Sequence, residues 1–104
     1  MTGPDDNRLT VHAEVWLYPG VGGWHFLTIP PEQSAHIREM WGALQRGWGS
    51  LPVTATINAT TWTTSIFFDK ERSAYLLPLK AAVRKTEKIT AGDSIFLSLE
   101  IHQP

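Results

Sequence analysis

Apolar and polar side chains alternate at every second residue through much of this chain, and this pattern restricts it to a fold rich in β-strands. In LTVHAEVWLY, at residues 9–18, one face is apolar and the opposite face is mainly polar. The apolar face holds Leu9, Val11, Ala13, Val15 and Leu17. This period is typical of a strand with one buried face. VTATI, TWTTSIFF and SIFLSLEI are predicted as further strands.

Glycine and proline residues mark the ends of the predicted elements. PGVGG supplies the glycines that a reversal with positive φ requires, so Trp24–Ile29 should return as the second strand of a hairpin. After Pro31, apolar side chains recur at the spacing of a short amphipathic helix. They are Ile37, Met40, Trp41 and Leu44. A short strand over Ala74–Leu77 leads into LPLKAAVRKTEKITAGD, where a turn and a basic helix are predicted.

The two halves of the chain show the same order of predicted elements. FLTIPPEQSAHIREMW…GSLPVTATI and YLLPLKAAVRKTEK…AGDSIFLSL each read as a strand, a proline, a helix, a glycine turn and an alternating strand. Another strand precedes each segment, which indicates two copies of a β-β-α-β unit. The alternative is chance, since any two strand-helix-strand segments share this pattern. Six strands in two interlocked halves can close a small barrel, which leaves few open sheet edges.

Composition limits the class of protein. With 42% hydrophobic and 18% charged residues, the chain is an ordinary globular protein, and its 104 residues suit a single domain. We expect that domain to span residues 9–104, after a disordered tail at residues 1–8. A net charge of -1 provides no global field to attract nucleic acid or an anionic membrane. The chain has no cysteine, no secretion signal in MTGPDDNRL and no apolar stretch of membrane-spanning length, so a cytoplasmic location is expected.

Several segments together resemble a known family. They are GGWHFLTIP, PVTATI, TWTTS, YLLPLKAAVRK and ITAGDSIFLSLE. This pattern resembles the bacterial and archaeal family DUF1905, a domain of unknown function, from about Leu9 onward. The resemblance implies a small closed six-stranded, double-split β-barrel with two short helices and a pseudo-two-fold repeat. The family has no assigned activity, so the resemblance implies a fold and not a function.

The second half of the chain also resembles a unit of DNA-binding proteins. Its order of strand, proline, Arg-containing helix, Gly-Asp turn and strand looks like that of the AbrB- and MazE-type regulators, which are homodimers. The resemblance implies that both halves of the barrel lie within one chain here, whereas the regulators are homodimers. The chain departs from the DUF1905 pattern at Ala59, where a glycine is common, and at Thr63, where an arginine is common. No role of that arginine carries over to this chain.

Four residues are the candidates for a ligand site. Lys80 and Arg84 lie four residues apart on one face of the predicted basic helix, where they could hold a phosphate or carboxylate. The alternative is that the charges of this helix only face solvent. Trp24 and Trp48 lie beside glycine-rich turns, where side chains commonly form the rim of a pocket. The alternative for these two is that they cover a barrel end or a dimer contact.

The Gly92-Asp93 turn after the basic helix has a predicted structural role. Gly92 should adopt a backbone conformation that a β-carbon disfavours. Asp93 should cap the backbone of this turn and is also the expected partner of Arg84, whose place resembles that of the arginine in the AbrB-like unit. Trp41 and Trp62 fall on apolar faces and are predicted as core residues.

The sequence carries no recognised catalytic or metal-binding motif. The four histidines form no pair at i, i+4 spacing, and GWGSLP is not a nucleophile elbow because the serine follows the second glycine. We therefore predict no catalytic residue, no metal and no cofactor. The favoured function is a non-catalytic module that binds a small ligand or a protein, as a monomer or homodimer, with no membrane partner. The alternatives are an AbrB-like DNA-binding regulator, although nucleic acid is disfavoured by the net charge, and a small enzyme with a pocket at the barrel end.

Overall fold

A computed structural model describes residues 7–20, 22–44 and 49–102 of the chain. The six strands are β1 (Arg8–Leu17), β2 (His25–Thr28), β3 (Ser50–Ile57), β4 (Thr60–Asp69), β5 (Ala74–Pro78) and β6 (Ser94–Ile101). The two helices are α1 (Pro31–Trp41) and α2 (Ala81–Glu87), and a 3₁₀ turn at Gly42–Leu44 follows α1. The tail predicted at residues 1–8 falls mostly outside the described residues, and β1 already begins at Arg8.

The strands form one closed barrel in the order β1-β2-β5-β4-β3-β6, and every neighbouring pair is antiparallel. Pairing of β1 with β6 completes the ring, so the sheet has no free edge along which another chain could add a strand. The predicted mainly β fold, a closed six-stranded barrel with two short helices, is confirmed. No helix in the described part of the chain is long and apolar enough to cross a membrane.

The barrel has a two-fold symmetry in its strand order. Exchanging β1 with β4, β2 with β5 and β3 with β6 leaves the order of strands around the barrel unchanged. The centre of this relation is the cross-strand pair Leu27–Leu77, where β2 meets β5. Two hydrogen bonds flank the pair as images of each other. Ile29 N–H donates to the Tyr75 carbonyl and Leu79 N–H donates to the His25 carbonyl, each at 2.9 Å. The topology and register therefore agree with the repeat predicted from the two halves of the sequence.

The inward faces of the strands supply most of the core. In β3 every second side chain is buried, as the alternation predicts. The fully buried strand residues include Val11, Val15, Leu27, Val53, Ile66, Leu77 and Ile101. Ile37 and Trp41 of α1 and Val83 of α2 join the same core. Burial of this apolar surface provides the main favourable free energy of folding.

Some predicted core positions are exposed. Leu17 is 51% exposed because it is the last residue of β1 and lies at the rim of the barrel, where the chain enters the turn to β2. Met40 and Leu44, which were expected on the apolar face of the first helix, are also exposed. The buried face of α1 is narrower than the predicted one and consists of Ser34, Ile37 and Trp41.

Candidate functional site

A cleft of about 380 Å³ lies beside α2. It lies between the β1–β2 turn, the middle of β4 and the start of α2. The side chains that matter for its chemistry are Trp24, His25, Trp62, Thr63, Lys80 and Arg84. Its volume lies at the lower end of the range of small-molecule sites, which is about 300–1,000 Å³.

The glycine-rich turn between β1 and β2 positions Trp24 at the mouth of the cleft. Gly22 has φ +106°, and a β-carbon at this position would approach Cδ1 of the Trp24 indole to 3.0 Å. Gly22 therefore leaves the space that the indole needs. The Trp24 carbonyl accepts a hydrogen bond from Tyr18 N–H at 2.8 Å, and its ring stacks on Phe26 with centroids 6.2 Å apart. The indole is 59% exposed and forms a supported aromatic platform.

Two cations approach the cleft from the start of α2. Lys80 directly precedes the helix and is exposed, whereas Arg84 is half-buried one turn further on. Arg84 Nε donates to the Leu79 carbonyl at 3.0 Å, which holds the guanidinium in place. The cleft-lining residues of the described chain include no aspartate or glutamate. The two charged side chains in the described lining are therefore both cationic, although the net charge of the chain is -1.

The expected pairing of Arg84 with Asp93 is not formed. Asp93 Oδ2 accepts a hydrogen bond from the backbone N–H of Thr90 at 2.9 Å. It also accepts a hydrogen bond from the Thr90 hydroxyl at 3.3 Å. The Asp93 carboxylate therefore caps its own turn, as predicted. Arg84 donates instead to the Leu79 carbonyl. Gly92 has φ +98°, in the region that disfavours a β-carbon, as predicted.

Trp62 and His25 complete the polar groups of the cleft. Trp62 is only 6% exposed, and its Nε1–H is buried with no hydrogen-bond acceptor among the described residues. His25 Nδ1 lies 2.7 Å from the Gly23 carbonyl oxygen, which can only accept, so Nδ1 carries the proton. In the neutral ring, His25 Nε2 is then an acceptor.

The other half of the barrel has a serine where this half has Arg84. Ser34 of α1 occupies the position that corresponds to Arg84, because its Oγ donates to the Ile29 carbonyl at 2.9 Å just as Arg84 Nε donates to Leu79. Ser34 is completely buried, and its Oγ also accepts from Tyr75 N–H at 3.0 Å. A small, completely buried serine in one half therefore corresponds to a long, half-buried arginine that borders the cleft in the other half.

An aromatic surface continues outward from the cleft. It consists of Trp16, Tyr18, Trp24 and Phe26 on the outer side of the β1–β2 hairpin. Trp16 Nε1 donates to Thr28 Oγ1 at 2.9 Å, and the Arg72 guanidinium lies 4.4 Å from a Trp16 ring centroid. Tyr18 and Trp24 remain exposed. Flat apolar groups could extend from the cleft onto this surface.

Three of the four sequence candidates meet at this cleft. They are Trp24, Lys80 and Arg84, and the fourth, Trp48, lies outside the described residues. His25 was missed because nothing local distinguishes it from a surface histidine. Trp62 was predicted as core and is buried, but the alternation of its strand could not show that it also borders a cleft. Thr63, where the resemblance has an arginine, lies in the same cleft.

The described residues do not provide a set of metal ligands. Among the described residues, no group of three histidine, aspartate or glutamate side chains is placed to hold a metal ion. The cleft can donate hydrogen bonds, attract negative charge and stack aromatic rings. These are the properties of a binding site for a small molecule.

Comparison with known proteins gives a family match and no activity. No curated protein matches the chain significantly. Residues 12–99 match the family described as a domain of unknown function, DUF1905. The match covers most of the barrel, from within β1 to within β6. The chain therefore belongs to the DUF1905 family.

Proposed function

We propose that this protein is a non-catalytic binding module that takes a small organic molecule into the cleft beside α2. The observation that carries the proposal is the convergence of Trp24, Lys80 and Arg84 on one cleft of about 380 Å³. These residues come from two distant parts of the chain, and the barrel brings them together. The residue of the other half that corresponds to Arg84 is Ser34, which is completely buried and does not carry a charge.

The side chains of the cleft favour binding over catalysis. A catalytic site usually combines a nucleophile or general base with a group that orients it. His25 is the one histidine in the described lining of the cleft, and no hydrogen bond joins it to a threonine hydroxyl or another side chain there that it could activate. The remaining polar groups are donors and threonine hydroxyls, which position a ligand without transferring a proton.

Ligand titrations followed by NMR test the proposal. A set of small aromatic compounds is screened for shifts of the indole N–H signals of Trp24 and Trp62, and binding is expected to shift both. Trp24→Ala should weaken binding because the platform is lost. Tyr18→Ala is the matched control, since Tyr18 belongs to the aromatic surface but does not line the cleft. Equal weakening by both variants, or ligand shifts confined to residues far from the cleft, would contradict the proposal.

Protein binding is the second candidate function, and the aromatic surface favours it. Exposed aromatic side chains are enriched at protein interfaces. If this surface is an interface, Tyr18→Ala should weaken self-association or partner binding while ligand titrations of the cleft stay unchanged. The AbrB-like alternative predicts salt-sensitive retention on duplex DNA, which the net charge of -1 disfavours.

A further inference from the structure

Resting on the proposed binding function, we propose that the ligand of this cleft is a planar organic anion. Its carboxylate or phosphate group lies at Lys80 and Arg84, and its ring lies against Trp24.

Arg84 differs from the other arginines in the described part of the chain. Arg8 and Arg72 lie within ion-pair distance of Glu100 and Asp69. The Arg38 guanidinium lies 4.0 Å from the ring centroid of Phe68. Arg84 alone is half-buried in a cleft wall with only its Nε bonded, and its two terminal Nη groups have no acceptor among the described residues.

The bond from Arg84 Nε to the Leu79 carbonyl fixes the orientation of the guanidinium before a ligand arrives. A guanidinium held in this way presents planar, paired donors that match a carboxylate or phosphate. Lys80 adds a second positive charge at the same mouth, and no carboxylate among the described lining residues offsets either charge. An anion is therefore the class of ligand that this electrostatic arrangement favours.

Trp62 and Trp24 indicate what the ligand carries besides its anionic group. Trp62 Nε1–H is buried without an acceptor in the described chain, which is uncommon for a buried donor. Trp62 also lines the cleft, so a bound ligand would contact this side chain. The Phe26 ring lies nearly parallel to the Trp24 indole with the centroids 6.2 Å apart, and Trp24 is 59% exposed. The exposed indole surface suits a planar ring, because aromatic rings stack in offset arrangements.

Probes of matched shape test the inference directly. Benzoate and phenyl phosphate carry the two candidate anionic groups on one ring, benzamide is the neutral match, and benzylamine is the cationic match. Affinities are measured on the full chain from the indole N–H shifts. The better of the two anions should bind at least about tenfold more tightly than benzamide, a difference of about 1.4 kcal/mol. The ranking of benzoate and phenyl phosphate identifies the anionic group, and inorganic phosphate alone should bind more weakly than phenyl phosphate.

Substitutions of charged residues provide a second test of the anion inference. Lys80 is exposed, so Lys80→Gln and Lys80→Glu should keep the fold and lower anion affinity, the second more than the first. Arg84→Gln should remove most of the preference for anions over benzamide. Lys85→Gln is the control, since Lys85 is an exposed cation of the same helix that does not line the cleft.

The outcomes separate this inference from the proposed function. If benzamide binds at the cleft as tightly as the anions, or if Lys80→Glu leaves anion affinity unchanged, the anion inference is wrong while the binding function stands. If none of the four ring probes shifts the cleft resonances, both are overturned. A response to phosphate and both anions that is the same in Lys85→Gln as in Lys80→Gln would show nonspecific charge screening and would also overturn the inference.

Discussion

At the scale of single residues, Gly92 shows how one backbone angle supports the barrel. Its φ is +98°, its N–H donates to the Val15 carbonyl at 2.7 Å, and Val15 N–H donates to the Asp93 carbonyl at 2.8 Å. The turn before β6 is therefore bonded to β1 on both sides. This bonding aligns β6 with the strand that closes the barrel.

Gly92→Ala should lower the free energy of unfolding by about 1 kcal/mol or more. A β-carbon at this position would have no heavy atom within 4 Å, so the cost comes from the backbone angle and not from a steric clash. Urea denaturation of the variant measures the effect. An unchanged unfolding midpoint would contradict this account of the turn.

Lys88 is a non-glycine residue in the left-handed conformation that ends a helix. It has φ 56° and ψ 47°, and its N–H donates to the carbonyls of Arg84 and Lys85. Glycine adopts this conformation without the strain of a β-carbon. Lys88→Gly should therefore raise the free energy of unfolding by about 0.5–1 kcal/mol.

The control for this prediction lies three residues earlier. Lys85→Gly places glycine inside α2, where it should destabilise the protein by about 1 kcal/mol. Thermal denaturation of the two variants should therefore shift in opposite directions. Destabilisation by both would show that the end of α2 does not have the strain that its backbone angles indicate.

At the scale of elements, one carboxylate joins α2 to the turn between β3 and β4. Glu87 Oε1 accepts from Asn58 Nδ2 at 2.7 Å, and Glu87 Oε2 accepts from the Thr60 hydroxyl. The Thr60 bond and then the Asn58 bond lower the pKa of the Glu87 carboxyl below its ordinary value of 4.5. The helix that borders the cleft is thereby fastened to the sheet.

The stability contributed by Glu87 should depend on pH in a defined direction. Because its pKa is lowered in the folded state, the contribution is present above the unfolded pKa and is lost as the pH falls through the lowered value. Glu87→Gln should be less stable than the unsubstituted protein at neutral pH, and the difference should shrink towards acid pH. Urea denaturation across this pH range measures it.

Glu39→Gln is the matched control, since Glu39 is an exposed carboxylate of α1. Its effect on stability should be small at every pH. If the Glu87→Gln difference did not change with pH, the carboxylate would not be the group that fastens α2.

At the scale of the whole molecule, the two halves of the barrel depend on each other. In the first half, β1 and β2 pair with each other, but β3 pairs only with β4 and β6. The second half has the same arrangement, because β6 pairs only with β1 and β3. Neither half alone can satisfy the hydrogen bonds of its third strand.

Separate halves, cut at the turn after Asn58, should therefore not fold alone. Residues 1–58 are expected to show no cooperative thermal transition, since β3 loses both partners. Mixing them with residues 59–104 should restore strand content and a cooperative transition, as measured by circular dichroism. A cooperative transition of the first half as a monomer would contradict the interlocked architecture.

The sequence by itself determined the elements and most of their inward faces. Alternation identified the strands because the two faces of a strand repeat every second residue, whatever their distant neighbours are. Proline and glycine placed the starts of the helices and the Gly92 turn for equally local reasons. The matching order of the two halves also predicted the closed six-stranded barrel.

Only the tertiary structure decided which groups face the cleft. Arg84 bonds to Leu79 rather than Asp93, and Trp62 is both a core residue and a wall of the cleft. The cleft joins the β1–β2 turn to β4 and α2, segments separated by tens of residues. Local periodicity determines which side of its own strand a residue faces. It does not specify the register of distant strands, which decides where side chains such as His25 and Arg84 meet.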